Sequence, residues 1–467
     1  MNLESINKSI ELASDALWTH LLIFVLIIVA IYFTIKTNFV QFRLFPQMCK
    51  GLVEKRKGGK KNGVSTFEAF AVSVATRVGT GNLAGVATAI AMGGPGSIFW
   101  MWLIALLGSA TAFIESTLGQ LFKEKSNEVF VGGPAYYIKR GLKNKTLAII
   151  FAVVMTITFG LTYNSIQSNT ICEAMQTAFG FDKAIVGIIL TAISLIVVFG
   201  GIKRIAKVTS IIVPVMALGY LILALYIIFH HINMIPEVLS LIFKDAFGAD
   251  KVLAGGVGAT IMWGLKRGLF SNEAGEGSAP HAAATANTTH PVKQGLVQAL
   301  GVFTDTLMVC SCTAFIILFS GVYQGSELNG ISLTQAALEH EIGKVGVYYI
   351  TAAIFLFAYS SILGNFYYGE ANIRFITNKK IYLQIFRILS GGVFVIFGAI
   401  ASLTTVWNLG DLFMGLLTII NIYAIVRLGK YAFKLLKNYS EQKKRGEDPH
   451  FHKSQLPEIE GSIDCWE

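Results

Sequence analysis

The stretch "RVGTGNLAG", from Arg77 to Gly85, concentrates glycine and polar residues in a way that could form a nucleotide-binding loop. Dinucleotide sites need G-x-G-x-x-G between a strand and a helix, with an acidic residue about 20 positions later. Here Gly79, Gly81 and Gly85 are spaced G-x-G-x-x-x-G, and the preceding "FEAFAVSVAT" lacks the β-branched run of a buried strand. The downstream "FWMW" offers no carboxylate for a ribose. We therefore reject the nucleotide interpretation.

A second group of reactive residues lies in "SNEAGEGSAPHAAA", where Glu273 and Glu276 precede His281 and His290. A carboxylate and a histidine could act as an acid–base pair, but no metal-binding spacing such as H-E-x-x-H is present. The five cysteines are scattered and odd in number, which favours neither a disulfide framework nor a zinc site. We expect neither an enzyme nor a cofactor.

The composition indicates a membrane protein. Of 467 residues, 54% are hydrophobic and 14% charged, and the mean hydropathy is +0.60. Soluble domains carry about 25% charged residues, and a membrane span needs roughly 20 apolar residues. The alternation of a β-barrel is absent, so the spans are expected to be helices. The apolar windows predict eleven transmembrane helices, at about 17–36, 65–91, 97–121, 146–175, 184–200, 208–231, 250–275, 293–320, 345–372, 383–403 and 408–428.

Basic residues cluster in alternate connections, which sets the expected orientation. The positive-inside rule places the lysine-rich and arginine-rich loops in the cytoplasm. The amino terminus is then outside and the carboxyl terminus inside, which requires an odd number of spans. We expect a multi-pass protein of the plasma (inner) membrane. The net charge of +10 is explained by loops that face anionic lipid, without a nucleic-acid partner.

The predicted helices divide the chain into four parts. Residues 1–64 hold the amino-terminal helix and a basic loop, residues 65–231 and 250–430 hold five helices each, and residues 431–467 form a polar tail expected to be disordered or loosely packed. Because five is odd, a repeat between the two groups would be inverted. "RVGTGN" (Arg77–Asn82) and "RGLFSN" (Arg267–Asn272) are a weak echo of such a repeat. The expected fold is all-α, with an inverted five-plus-five repeat whose first helices are broken.

The glycines of each first helix predict the breaks. Gly79 and Gly81 lie about halfway across the first repeat's opening helix, where an interruption exposes N–H groups suited to a carboxylate and carbonyls suited to a cation. The alternative is close helix packing through Gly81 and Gly85. In the second repeat five glycines predict a break near Thr260–Gly264; they are Gly255, Gly256, Gly258, Gly264 and Gly268.

Charged residues within spans should be paired or face water. For Glu115 and Glu370, near predicted helix ends, we expect structural ion pairs. Arg77 and Asp305 lie deeper and are candidates for a gate or a polar network. Gln167, in the polar run "YNSIQSNT", could face a substrate cavity.

Ser360 and Ser361 stand side by side on the ninth predicted helix, with Asn365 one turn beyond Ser361. The two hydroxyls could be oxygen ligands for a hard monovalent cation. Alternatively, each could bond back to the carbonyl four residues earlier.

Three stretches, "RVGTGNLAGVATAIAMGGPGSIFWMW", "RGLFSNEAGEGSAP" and "SILGNFYYGE", resemble the alanine or glycine:cation symporter family, also called sodium:alanine symporters. The resemblance covers nearly the whole chain, from "YFTIKTNFVQFRLFP" to the last predicted helix. It implies the leucine-transporter fold with one extra amino-terminal helix. It also implies sodium-driven uptake of a small neutral amino acid, typically alanine or glycine.

The resemblance further implies where the ligands bind. The substrate carboxylate would meet the backbone of Thr80 and Gly81, and the substrate-binding candidates that complete the set are Asn82, Gln167, Trp263, Ser361 and Asn365. Sodium would bind carbonyls of Ala75 and Val78 with the hydroxyls of Ser360 and Ser361.

This sequence departs from the family at two of these positions. Ser361 stands where members usually have Thr, which keeps the hydroxyl. Asn365 stands where they usually have Trp, so the pocket could admit a longer polar substrate such as glutamine. Alternatively, Phe366 or Trp263 fills the space and the preference for alanine survives.

Two rival functions use the same scaffold. A channel would need a continuous polar pore, whereas the polar residues here cluster near the two predicted breaks. A substrate-sensing receptor would need a folded signalling domain, and the tail is short and polar. Sodium is favoured over protons because the expected cation site contains nothing that titrates near neutral pH.

Overall fold

The computed structural model describes residues 3–53, 63–126, 129–200, 202–248 and 256–466. The described chain is helical apart from one short hairpin, in which β1 (Glu124–Ser126) pairs antiparallel with β2 (Val129–Val131) and Lys125 lies opposite Phe130. The α-helices are α1 (Leu3–Leu17), α2 (Ile23–Lys36), α3 (Val40–Arg43), α4 (Phe45–Leu52), α5 (Thr66–Arg77), α6 (Val86–Gly93), α7 (Ser97–Leu121), α8 (Pro134–Gly141), α9 (Lys145–Ile157), α10 (Asn164–Phe179), α11 (Lys183–Val198), α12 (Ile202–His230), α13 (Ile235–Ala246), α14 (Gly256–Asn272), α15 (Ala279–Thr285), α16 (Pro291–Val302), α17 (Ser311–Ser320), α18 (Gly330–Ile342), α19 (Lys344–Ile376), α20 (Lys380–Ile388), α21 (Phe394–Ile400) and α22 (Leu403–Lys444).

Short π-helical stretches join several of these helices into longer rods. The stretches are Trp18–Leu22, Gly81–Gly85, Thr158–Tyr163, Phe303–Cys310 and Leu389–Val393. Within the described residues, seven helical rods are long and apolar enough to cross a membrane, or eight if the pair bent by 73° at His231 counts as one span. The all-helical membrane fold is therefore confirmed. The number of eleven crossings stays a prediction.

The two broken helices are not among those long apolar rods. Helix α5 begins with a capping box, in which the Ser65 hydroxyl accepts from the Glu68 N–H and the Glu68 carboxylate accepts from the Ser65 N–H. It ends at Arg77, and the helix resumes at Thr80 as a π-helical turn that leads into α6. The predicted interruption of the first repeat is thus present.

The break of the second repeat lies later than predicted. Helix α14 runs without interruption to Asn272, and the chain leaves the helix at Glu273. Gly275 and Gly277 then adopt φ of 100° and 84°, which glycine tolerates, before α15 begins. The prediction at Thr260–Gly264 was wrong because glycines in α14 serve packing. A Cβ on Gly264 would lie 2.6 Å from the Cβ of Trp100, and one on Gly268 would lie 2.8 Å from Ile104.

The tail packs against the helical body of the protein, so the expectation of a disordered or loose tail was wrong. Helix α22 continues through Lys444, well beyond the predicted boundary at residue 430. Five apolar side chains after it are buried, namely Phe451, Leu456, Ile459, Ile463 and Trp466. The Phe451 N–H donates to the Thr289 carbonyl (2.9 Å), and the Trp466 indole donates to the Gln120 carbonyl (3.1 Å).

The broken helices lie at the centre of the fold. Helix α7 packs against α14, α15 and α16, while α19 packs against α5, α10 and α12. Large apolar side chains on the opposite faces of outer helices remain exposed, for example Ile28, Ile188 and Ile222. Such faces suit lipid, so the polar residues of the breaks are enclosed by a ring of membrane helices.

Candidate functional site

Two side chains hold the break between α5 and α6 open. The Gly79 N–H donates to Asn82 Oδ1 (2.8 Å), and the Thr80 N–H donates to Gln167 Oε1 (3.1 Å). In a continuous α-helix these two N–H groups would pair with the carbonyls of Ala75 and Thr76. The side chains of Asn82 and Gln167 therefore release two buried carbonyl oxygens from the helix.

The released carbonyls meet the paired hydroxyls of α19. Ser361 Oγ lies 3.1 Å from the Ala75 oxygen and 3.4 Å from the Thr76 oxygen. It also lies 3.1 Å from the Phe357 oxygen, four residues earlier on its own helix. A single hydroxyl proton cannot serve three acceptors, so lone pairs concentrate at this point. Such a cluster of oxygens suits a hard cation.

The structure thus brings together three of the four predicted sodium ligands. Ser360 Oγ joins Ser361 beside Ala75, at 3.5 Å from the carbonyl oxygen, and bonds back to Phe357 at 2.9 Å. Val78 donates its N–H to the Val74 carbonyl (2.8 Å), and its role as a ligand stays a prediction. The carbonyls of Thr76 and Phe357 were not predicted, since the sequence does not show which backbone groups a break will release.

Asn82 connects the first break to the second repeat. Its Nδ2 donates to Asp305 Oδ1 (2.6 Å) and to Ser271 Oγ (3.1 Å), and Ser271 in turn donates to Asp305 Oδ2 (2.6 Å). Asp305 lies in a π-helical stretch, a distortion often found at functional sites. The network therefore links the π-helical stretch before α6, helix α14 and the span that contains Asp305.

Arg77 is buried close to these groups but does not pair with Asp305. Its Nη1 donates to the Gln298 carbonyl (3.0 Å), whereas Nε and Nη2 are buried and find no hydrogen-bond partner among the described residues. Within the described parts of the chain, no carboxylate lies within 4.0 Å of the guanidinium. The predicted gate role of Arg77 and Asp305 stays a prediction.

The second break is held by carboxylates and amides. Thr76 Oγ1 donates to Glu273 Oε2 (3.3 Å), so the two breaks touch. The Asn272 side chain accepts the Ala274 N–H (3.0 Å), which resembles the capping by Asn82 at the first break. The weak similarity between Arg77–Asn82 and Arg267–Asn272 therefore has a structural counterpart. At each break the final asparagine of the segment, Asn82 or Asn272, accepts a hydrogen bond from a backbone N–H of the break.

Glu115 also belongs to the second break, contrary to the expected structural ion pair. Its carboxylate accepts the Gly275 N–H (3.3 Å) and the Asn421 amide (2.8 Å). Glu370 does form the predicted ion pairs, with Arg374 (2.6 Å) and Arg387 (3.0 Å).

The remaining predicted substrate residues occupy different positions. Asn365 is 1% exposed, and its Nδ2 donor has no hydrogen-bond partner in the part of the chain that the structure describes. Gly81 packs closely on α14, since an added Cβ would lie 3.1 Å from Phe270 Cδ1 and from the Ser271 Cα. Trp263 lies beside Gly93 at the far end of α6, away from Thr80. Its contact with the substrate stays a prediction.

A buried cation on α14 was missed as a functional candidate. Arg267 is fully buried, forms an ion pair with Asp411, and stacks on the Trp407 ring at 4.1 Å. Phe270 packs on the same ring, with centroids 4.7 Å apart, and covers Gly81. The signal was available in the sequence, because an arginine within a span needs a partner.

Two helices broken at the centre of a membrane bundle, with backbone groups released at the breaks, define a secondary transporter. The chain belongs to the sodium:alanine symporter family, whose model matches residues 3–453. The predicted resemblance is confirmed. Proteins of this family are transporters rather than enzymes.

Curated relatives cover almost the full length. The probable sodium/glutamine symporter GlnT of Bacillus subtilis (strain 168) is 49% identical over 98% of this chain and 95% of its own. The amino-acid carrier protein AlsT of the same organism is 47% identical over 99% of this chain and 98% of its own. The sodium/alanine symporter AgcS of Methanococcus maripaludis is 36% identical over 93% of this chain and 97% of its own.

Proposed function

We propose that this protein imports a small neutral amino acid together with sodium by alternating access across the plasma membrane, with its amino terminus outside. Alanine or glycine is the expected substrate, and glutamine is a second candidate because of Asn365. The relatives named for sodium with glutamine or alanine support this choice.

The observation that carries the proposal is the release of the Ala75 and Thr76 carbonyls beside Ser361. These oxygens are neutral and buried, and they lie next to Gln167, whose amide oxygen reaches Thr80 at the same break. An ion bound there would neutralise the lone pairs and fix α19 against α5. The cation and the substrate would therefore stabilise the same arrangement of the two helices, which couples their binding.

Sodium is the better choice than a proton because the cluster contains only carbonyls and hydroxyls. One Na⁺ entering through about 100 mV and a tenfold gradient releases about 3.7 kcal/mol. That energy suffices for several-hundred-fold accumulation of a zwitterion.

The decisive experiment is uptake of radiolabelled alanine and glutamine into proteoliposomes under an imposed sodium or pH gradient. We expect accumulation above equilibrium with sodium, and none with a pH gradient in sodium-free buffer. Equal accumulation with a pH gradient would reject sodium coupling. Equilibration without accumulation would instead indicate a channel.

A pair of serine variants tests the cation site within the same assay. Ser361→Ala should raise the sodium concentration for half-maximal uptake at least tenfold. Ser109→Ala is the matched control, because Ser109 is equally buried but only bonds back to the Ala105 carbonyl (2.7 Å). If both variants behaved alike, the Ser361 hydroxyl would not be a sodium ligand.

A further inference from the structure

A cavity of about 410 Å³ lies where α4, the start of α16 and the cytoplasmic end of α22 meet. It is separate from the two breaks. The polar residues that line it are Gln47, Lys50, Lys293, Tyr439, Lys443 and Asp448. Three lysines against one aspartate give the cavity a net positive charge.

The lysines differ in how they are neutralised. Lys293 is 6% exposed, and its Nζ donates to Asp448 Oδ1 at 2.7 Å. Lys50 and Lys443 form no ion pair with any residue in the described ranges. Within the described ranges, the two positive charges of these lysines therefore lack a counter-charge at the cavity.

An unpartnered acceptor lies in the same cavity. Gln47 Oε1 is buried and accepts no hydrogen bond from the described residues. A buried amide oxygen without a donor costs about 1–3 kcal/mol, so a ligand with a hydroxyl group would relieve the cost. The cavity thus offers cations for an anion and an acceptor for a hydroxyl.

The cavity lies at the boundary of the membrane. Lys293 is the third residue of the apolar rod Pro291–Ser320, at its cytoplasmic end by the positive-inside rule. Beside it, Phe42, Phe45 and Val53 expose 50%, 42% and 80% of their surface. Large apolar side chains so exposed suit lipid, which places the lysines at the depth of the headgroups.

The packing of α4 fixes this geometry. Gly51 lets α4 approach α16 closely, since an added Cβ would lie 2.6 Å from Val297. The Phe45 ring packs on Phe303 with centroids 5.7 Å apart. Helix α4 therefore lies against the apolar rod and presents Lys50 and Gln47 to one space.

We propose that this cavity binds the phosphate of an anionic phospholipid whose headgroup carries a free hydroxyl, as in phosphatidylglycerol. Lys50, Lys293 and Lys443 contact the phosphate, and Gln47 accepts from the headgroup hydroxyl. Free phosphate shares the anionic chemistry, but the exposed apolar side chains beside the cavity favour a ligand with acyl chains. The site is independent of the proposed transport function.

The test is retention of phosphatidylglycerol by the purified full-length protein, measured by native mass spectrometry during titration. Removal of one headgroup-level lysine costs about 1 kcal/mol, or about fivefold in affinity. The double variant Lys50→Gln with Lys443→Gln should therefore lose about 25-fold. The control is Lys143→Gln with Lys145→Gln, which removes the same charge from an exposed cytoplasmic segment and should retain wild-type binding.

Gln47→Leu supplies a second readout that does not change the charge. This variant should weaken the binding of phosphatidylglycerol. It should leave the binding of phosphatidic acid unchanged, because that lipid lacks the hydroxyls of the glycerol headgroup. Equal retention by the double variant and its control would overturn the proposal. Displacement of the lipid by an equal concentration of inorganic phosphate would also overturn it, in favour of a site for free phosphate.

Discussion

Oε1 of Gln167 accepts two hydrogen bonds from Thr80, one from the backbone N–H at 3.1 Å and one from the hydroxyl at 2.6 Å. Gln167 is 3% exposed and belongs to α10, far from Thr80 in sequence. A side chain from a different helix therefore keeps the first broken helix from closing. The released Thr76 carbonyl depends on that contact.

Replacement of Gln167 by leucine should let the Thr80 N–H pair again with the Thr76 carbonyl. The cation cluster would lose one oxygen, and an interaction worth about 1–3 kcal/mol would disappear. We expect the sodium concentration for half-maximal uptake to rise about tenfold. Sodium-dependent alanine uptake in proteoliposomes measures this.

Gln335→Leu is the control for that variant. Gln335 is also buried, but its amide donates to the Ala174 carbonyl (3.0 Å) and to the Thr351 hydroxyl (2.8 Å) instead of bonding to the backbone of a break. The Gln335→Leu variant should have lower thermal stability than the wild type but the same sodium dependence of uptake. A parallel shift in both variants would show that buried glutamines matter only for stability.

Gly79→Ala should disturb the cation cluster directly. A Cβ at this position would overlap Ser361 Oγ, so the hydroxyl would have to turn away from the Ala75 carbonyl. We expect weaker sodium dependence with little change in folding. Gly85→Ala is the matched control, because its nearest neighbour would be 3.8 Å away. Unchanged sodium dependence in Gly79→Ala would place the ion elsewhere.

Asn365→Trp should narrow the range of substrates. The buried Asn365 Nδ2 has no partner among the described residues, so a substrate amide can supply one. Glutamine should inhibit uptake of labelled alanine in the wild type and lose that ability in the variant. Phe366→Trp is the control, because it adds bulk on the side that stacks on Phe386. In this variant glutamine should still inhibit alanine uptake.

Two results would contradict this prediction. If glutamine fails to compete in the wild type, the enlarged pocket does not exist. If it competes equally in the wild type and in Asn365→Trp, another residue admits it.

Lys123 should make stability depend on pH. It is 2% exposed, its Nζ donates to the Ala286 carbonyl (3.1 Å), and burial lowers its pKa to about 7 from an ordinary 10.5. Between these two values the unfolded chain binds the additional proton, so stability should rise as pH increases from about 7. Below pH 7 both states are protonated, and Lys123 adds no slope.

Thermal unfolding in detergent across this range measures the effect. The wild type should gain stability relative to Lys123→Met as pH rises, whereas the exposed control Lys143→Met should follow the wild type. Identical pH profiles in the wild type and Lys123→Met would show that the ammonium is not buried in solution.

The sequence predicted the elements whose signal is local. The adjacent hydroxyls of Ser360 and Ser361 made them candidate cation ligands, which stays a prediction, and the structure places both beside the Ala75 carbonyl. Gly79 with Gly81 predicted an interruption that the structure has. The second break was misplaced since glycines that allow close packing and glycines that permit a turn look alike in a sequence. In the structure, Gly275 and Gly277 have a positive φ at a turn, whereas a Cβ on Gly264 or Gly268 would meet a neighbouring helix within 3 Å.

Contacts between distant segments could not be predicted. Nothing in "YNSIQSNT" shows that Gln167 reaches Thr80, or that Glu115 meets the Gly275 N–H. The tail was misjudged for a related reason, because its polar average hid the spacing of Phe451, Ile459 and Trp466. Their burial depends on partners far away in the chain, such as Gln120.

The interruption of the two broken helices has a consequence for biosynthesis. The described rods that could cross a bilayer alone do not include either broken helix. The first comprises Thr66–Arg77 and Gly81–Gly93, and the second begins with Gly256–Asn272. Arg77 and Arg267 would each oppose entry into lipid by about 2.5–3.5 kcal/mol at a helix centre. These segments must therefore leave the translocon together with apolar neighbours such as α7, which packs on α14. The residues that carry the proposed transport chemistry thus depend on neighbouring helices for their place in the membrane.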